Sequence, residues 1–517
     1  MFETHFSDIA IGHFVAAFLL LFASVTYFQK KRMAMSMLLL FLAGFTLRML
    51  MTDIDPFLHI WDEQFHALVA KNMMSGLFHP VLVKDEVIPM DPAYWVNCHT
   101  WVHKPPLFLW QMALSMKIFG ANVFAVRFPS ALLSAFMIPA VYRMGKLIRN
   151  DQTGYIAALI IAFSNIHVDV VSGFLNTDHN DVVFAAYVLF SFWSFTEYVY
   201  SSKKSFIILT GIFTAAAVLT KWLPGFLVIG IWGIALLSDK EWRKSKKRWL
   251  DLFLAGIISL LLAMPWFIYV SMKWPVEWSA TLQDFSKPFS QDLGHPGNLF
   301  FHFSTLKEQT GWVFMIALFL GMFFFFTRNT NRIIRVGFSA AVIFVFVFYT
   351  FVKAKMPLYC FMVYPLLIII AAIAFDEAIE AWKNFFAKQK TFVLFFCFLV
   401  IGYLFLDLGR LESLHTERDP KEIYRKTRMA NLHTFLEVDQ KLQGNEVVFN
   451  CGSWNAAEFM FVTGVTAFDD LPTEENIRAI QKLGRPVLIF PGDNLPVWIK
   501  EKYSACIMRE SLIRNGY

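Results

Sequence analysis

Long apolar runs separated by short polar turns fill the chain as far as residue 407, and a mixed, more polar tail follows. Hydropathy places about twelve spans, near 9–28, 34–51, 121–142, 154–170, 182–200, 205–219, 222–237, 249–271, 311–326, 336–352, 357–376 and 391–407. Runs of this length approach the roughly 18–20 apolar residues that a helix needs to cross a bilayer. The first run lacks a basic leader and a small-residue cleavage site, so it reads as a retained helix. Lys30, Lys31 and Arg32 follow the first span, and Arg143, Lys146 and Arg149 the third. Lys203 and Lys204, the cluster from Lys240 to Arg248, then Arg328, Arg332 and Arg335, and finally Lys383, Lys388 and Lys390 all fall on the same side when the spans alternate. Positive loops stay in the cytoplasm, which sets the N-terminus, with Glu3 and Asp8, outside.

The opposite, extracytoplasmic side then receives the loop 51–120, the Asn176–Asp181 turn, a loop from about Met272 to Trp312, the Lys353–Pro357 turn and the tail. Within the first of these, Trp61–Met74 and Leu107–Phe119 alternate apolar and polar residues with a helical period, which predicts helices lying along the membrane interface. In the tail, Val447–Asn450 and Pro486–Pro491 read as short strands, with a helix over Thr473–Leu483 between them. The expected organisation is a transmembrane domain over 1–407, with 51–120 as its catalytic loop, and a small C-terminal α/β extracytoplasmic domain over 408–517. No phosphate loop or triad marks that second domain, so no chemistry is assigned to it.

Composition agrees with a polytopic α-helical membrane protein. The 517 residues are 57% hydrophobic and 17% charged, and 58 are phenylalanine. Soluble domains carry about 25% charged residues. The net charge of +6 would suit nucleic acid, but the Lys and Arg sit in short loops between apolar runs, so no nucleic-acid partner is expected. Five cysteines show neither metal-ligand spacing nor an inferable disulfide framework.

Several constellations could carry chemistry. Asp62-Glu63 opens a helix just outside a span, where acidic residues often serve only the helix dipole. In a membrane-facing cleft, a carboxylate there could instead accept a proton from a hydroxyl. Lys104 is a snorkelling anchor by default. However, Pro105 and Pro106 stiffen its backbone, and a held ammonium suits phosphate oxygens. The hexad Asn176 to Asp181 reads as a hydrogen-bonded turn; Asp178, His179 and Asp181 are candidate ligands for a divalent cation, although their spacing matches no strong motif. Lys221, before Pro224-Gly225, and Lys353 and Lys355, before Pro357 and Tyr359, add cations at the same surface.

The order of these motifs resembles the GT-C integral membrane glycosyltransferases, most of all the glycosyltransferase 39 group, which includes protein O-mannosyltransferases and lipid A aminoarabinose transferases. The residues that carry the resemblance are Asp62-Glu63, Lys104-Pro105-Pro106-Leu107, Asp178 and Asp181, Leu219-Thr220-Lys221, Pro265-Trp266, Lys353-x-Lys355-x-Pro357-x-Tyr359 and Tyr364-Pro365, over roughly 33–375. Relatives often carry an acidic residue where this chain has His103, and Thr-Pro-Asp where it has Thr177-Asp178-His179-Asn180-Asp181. The resemblance implies a GT-C fold in a bacterial inner membrane and transfer of a sugar from a polyprenyl-phosphate donor to a lipid, protein or envelope-glycan acceptor on the outer face, with inversion. It implies Asp62 as base, with Glu63 beside it. Lys104, Lys353, Lys355 and Lys221 would hold the donor phosphate, and Asp178 or Asp181, His103 and Tyr359 would orient substrate. No cofactor is required; a divalent metal is left open. The rival readings are a secondary transporter, which would show internal repeats and midplane charges, and a non-catalytic membrane scaffold.

Overall fold

The computed structural model describes residues 8–173, 179–328, 330–385, 389–406 and 422–514. Among them, nine helices are long and apolar enough to cross a membrane, or ten if one bent pair counts as a span. Hydropathy expects about twelve, and the difference lies in three runs. Asp151–Phe163 and Asn165–Ser172 meet at a 51° bend, where Ser164 adopts extended backbone. The run after Lys221 is shortened because Trp222 leaves helical geometry at φ 64°, ψ −150°, and Pro224-Gly225 forms a 3₁₀ turn. Leu223–Ser238 and Thr391–Phe405 are apolar but short.

The bundle is built in layers. Asn180–Ser201 is buried along nearly its whole length. On the outside, Lys246–Lys273 turns Leu250, Phe253, Ile257 and Leu261 outward. An apolar exterior of this kind suits hydrocarbon rather than water. Small residues let helices approach: a Cβ added at Gly145, on Val123–Ile148, would meet Gly154 Cα at 2.7 Å on Asp151–Phe163. At the basic end, Arg149 pairs with Asp376 at 2.6 Å and with Glu377 at 2.8 Å, and Arg328 reaches Glu377 at 3.1 Å. These contacts tie loops that follow different spans to one end of the bundle.

At the other end, the first loop carries the helices Asp62–Met73 and Leu107–Phe119. The second keeps an apolar outward face at Leu114 and Ile118. The first departs from the interfacial expectation. It is buried at nearly every position, packed between Leu107–Phe119 and the C-terminal helix Ala456–Thr463. That domain pairs three parallel strands, Thr466–Ala467, Val447–Phe449 and Val487–Ile489, in that spatial order. The two-residue strand at Thr466 is too short to read from its sequence pattern. The helix Glu474–Lys482 starts at Thr473, whose hydroxyl accepts from Asn476 N. The domain locks onto the first loop through Arg425–Asp55 at 2.7 Å, Arg485–Asp85 at 2.8 Å and Lys71 Nζ donating to Phe461 O at 2.5 Å.

Gly145→Val forces the two helices apart or displaces backbone, and overpacking of this kind costs about 1–3 kcal/mol. We expect a lower unfolding temperature in detergent, with Gly145→Ser less affected than Gly145→Val.

Candidate active site

The segment between the second span and Asp62 is held by a buried arginine. Arg127, near the start of Val123–Ile148, donates to the carbonyls of Thr52 at 3.3 Å, Asp55 at 2.8 Å and Phe57 at 2.9 Å. Its Nε and Nη2 grip Glu63 at 2.7 and 3.0 Å. Glu63 also accepts from the amide of His59 at 2.6 Å, and His179 Nε2 stands 3.7 Å away. Burial pushes the Glu63 carboxyl up, but the guanidinium outweighs it and holds the group below the usual carboxylate range. Gly173 packs beneath at φ 71°; a Cβ there would come within 3.0 Å of the Glu63 carboxylate.

Asp62 has a different environment. Successive helical residues point about 100° apart, so its carboxylate leaves the buried side and stays 31% exposed. Lys104 Nζ lies 3.6 Å from Asp62 Oδ2. Asp62 and Lys104 therefore flank one spot, although 42 positions separate them in the chain. Lys221 pairs with Asp181 close by, and Tyr359 feels both of them and Asp62. Burial raises the Tyr359 phenol, which leaves it a hydrogen-bond donor at neutral pH.

The remaining predicted residues divide. Lys355 turns inward and donates to the carbonyls of Tyr349, Thr350 and Val352 at 3.1, 2.6 and 2.5 Å. Lys353 is exposed and adjoins an apolar groove of about 600 Å³ lined by Phe289, Ile343, Phe344, Val347, Phe348 and Phe351. His103 is nearly buried, with its Nδ1 3.9 Å from Asp284. His179 faces Ser130 at 2.6 Å and Glu63, whereas Asp181 faces Lys221. Asp178 lies outside the described residues, and among the described residues no three potential ligands converge as a metal site.

A family model described as dolichyl-phosphate-mannose-protein mannosyltransferase matches residues 103–269. The crystal structure of ArnT from Cupriavidus metallidurans bound to undecaprenyl phosphate superposes with a TM-score of 0.64 at 14% identity, covering 88% of this chain and 86% of that one. This chain shares the fold of that ArnT. The Archaeoglobus fulgidus oligosaccharyltransferase is a more distant fold neighbour, with a TM-score of 0.55 at 11% identity over 84% of this chain and 64% of its own. An uncharacterized Aquifex aeolicus protein is 28% identical over 363 residues, 68% of this chain and 65% of its own. An undecaprenyl phosphate-alpha-4-amino-4-deoxy-L-arabinose arabinosyl transferase of Pseudomonas fluorescens is 23% identical over 193 residues, 36% of this chain. This chain spans 34% of that transferase's length.

Within this fold, sequence reasoning passed over Arg127, Arg425 and Glu458. The signal for Arg127 was present, since a lone arginine inside an apolar span is a functional candidate by default. Arg48, in the second span, gives the same signal and caps the carbonyls of Ile161 and Ala162 at the helix break. For Arg425 and Glu458, no local pattern distinguishes them from solvated surface charges.

Burial holds His103 neutral, well below the ordinary histidine range, with the Lys104 ammonium acting in the same direction. The unfolded chain therefore binds the extra proton first, so this histidine's contribution is intact above about pH 6.5 and is lost as pH falls below that value. In His103→Phe, the slope of stability between about pH 6.5 and pH 5 shrinks by up to about one proton. Thermal unfolding across that range, compared with wild type, checks it.

Proposed function

We propose that this GT-C protein transfers a sugar from a polyprenyl-phosphate donor to an acceptor hydroxyl on the extracytoplasmic face of the membrane. The observation that carries this reading is the Asp62–Lys104 pair, 3.6 Å apart and partly exposed at the end of the bundle opposite the basic loops. Asp62 accepts the acceptor's proton as its oxygen bonds to the anomeric carbon. The bond from that carbon to the phosphate oxygen breaks, and polyprenyl phosphate leaves with the electron pair. A single displacement inverts the anomeric centre. A phosphate leaving group needs positive charge more than a proton, and Lys104 supplies it already in place. Lys221 contributes through Asp181, while Tyr359 offers its phenol to substrate oxygens.

The groove beside Lys353 gives the prenyl chain an apolar bed within reach of a cation. Lys355 holds the Tyr349–Val352 turn that ends the groove wall. Glu63, locked by Arg127, positions Asp62 rather than exchanging protons itself. The superposed ArnT structure contains undecaprenyl phosphate, which favours a carrier of that class. The protein would then sit in a plasma membrane with its C-terminal domain outside.

Purified protein incubated with polyprenyl-phosphate sugars should release polyprenyl phosphate. Asp62→Asn should lower turnover by about 10²–10⁴-fold, the usual contribution of a general base, while insertion and unfolding temperature are retained. Lys104→Ala should weaken donor use and lower turnover together, whereas Lys104→Arg recovers part of it. Equal turnover by Asp62→Asn and wild type would refute the reading.

A further inference from the structure

The transfer chemistry leaves unused the aromatic residues that surround the start of the Asp62 helix. Trp61, immediately before the base, is 46% exposed and sits at φ 79°, ψ −129°. A tryptophan adopts such backbone only when its surroundings impose it, and such outliers cluster at ligand clamps. Two other indoles meet it edge-on: Trp95 of the first loop at 5.6 Å and Trp454 of the C-terminal domain at 4.8 Å. Trp454 closes a turn in which Gly452, Ser453 and Trp454 all have positive φ, at 62°, 52° and 60°. The C-terminal domain thus bends its own backbone to place an indole at the lip of the site. From Trp95 the strip continues toward Lys104. Trp95 stacks on His103 at 4.5 Å and 11°, and His103 stacks on Phe285 at 5.8 Å and 11°.

Beside this strip lies a narrow surface notch with room for about one water, about 10 Å³, rimmed by Trp95, Trp101, His103, Glu277, Thr281 and Asp284. Lys287 binds one oxygen of Asp284 at 2.5 Å, while the other faces His103. Indole faces and edges beside carboxylates and a hydroxyl complement a pyranose. Its C–H faces pack on aromatic rings, and its hydroxyls donate to carboxylate oxygens. A lipid chain would find carboxylates unfavourable here, and an acceptor phosphate would meet like charge at Glu277 and Asp284.

We infer that the Trp61–Trp95–Trp454 cluster, with the Glu277 and Asp284 carboxylates at its edge, forms the acceptor subsite, and that the acceptor lies against this platform as a neutral or amino-substituted sugar ring whose hydroxyl reaches Asp62. This rests on the transferase reading and specifies its acceptor as a glycan. It also gives the C-terminal domain a direct part in substrate choice, through Trp454.

The test is binding of an array of bacterial cell-surface oligosaccharides to the full-length protein in lipid nanodiscs, with a Ser/Thr-containing peptide and free phosphate as controls. The wild type should bind at least one oligosaccharide and neither control. Trp454→Ala should weaken that binding tenfold or more, Trp454→Phe should keep most of it, and Glu277→Gln should weaken it without touching the C-terminal domain. Where Trp454→Ala fails to fold, Glu277→Gln alone decides. No bound oligosaccharide, unchanged binding by the folded variants, or equal binding of the peptide would overturn the inference. Binding needs neither donor nor turnover, so a wild type that binds glycan but transfers no sugar would refute the transferase reading and not the subsite.

Discussion

The buried guanidinium of Arg127 fixes the geometry on which the rest of the site depends. It gathers Glu63 and the carbonyls of Thr52, Asp55 and Phe57 into one hydrogen-bonded knot, so the chain leaving the second span has a single path. Burying both charges carries a large desolvation penalty, and such pairs are weak evidence for net stability. What the pair supplies here is definition. The site loop is also held from above, where Arg425 grips Asp55, Glu458 accepts from Leu58 N at 2.8 Å and Tyr424 meets His59 at 3.2 Å. A loop held on both faces presents Asp62 at a fixed point, as the proposed role of a base requires.

Two adjacent carboxylates therefore have opposite environments. Glu63 points into protein and is consumed by Arg127, while Asp62, one helical step away, stays partly exposed and meets Lys104. The lysines separate in the same way. Lys104 and Lys221 face the carboxylates of Asp62 and Asp181, whereas Lys355 satisfies three carbonyls at the end of a span. Ions exposed at a bundle's end are solvated by water, but carbonyls freed where a helix stops near the membrane need an internal donor.

The helical spans were legible because each is a long apolar run, and the run is itself the physical requirement for crossing a bilayer. The breaks were not. The Ser164 bend and the unwinding at Trp222 depend on contacts from other helices, which hydropathy averages away. The Asp62, Lys104 and Lys221 positions could be read because each stands at a polar step beside an apolar run. The division of labour between Asp62 and Glu63 could not, because it depends on Arg127, 64 residues downstream. The C-terminal domain showed two of its three strands and the start of its helix at Thr473 locally. Its grip on Asp55, Leu58 and Trp61 spans about 400 residues of sequence and leaves no pattern in either partner.

The most direct measurement is turnover and unfolding temperature for Arg127→Leu, alone and combined with Glu63→Leu, in protein that inserts and elutes as a single species. Removing one partner of a buried pair costs about 3–5 kcal/mol, whereas replacing both with apolar residues recovers much of it. The double variant should regain stability but not turnover, because the Thr52–Phe57 carbonyls lose their anchor and Asp62 loses its aim. Turnover restored along with stability would contradict it.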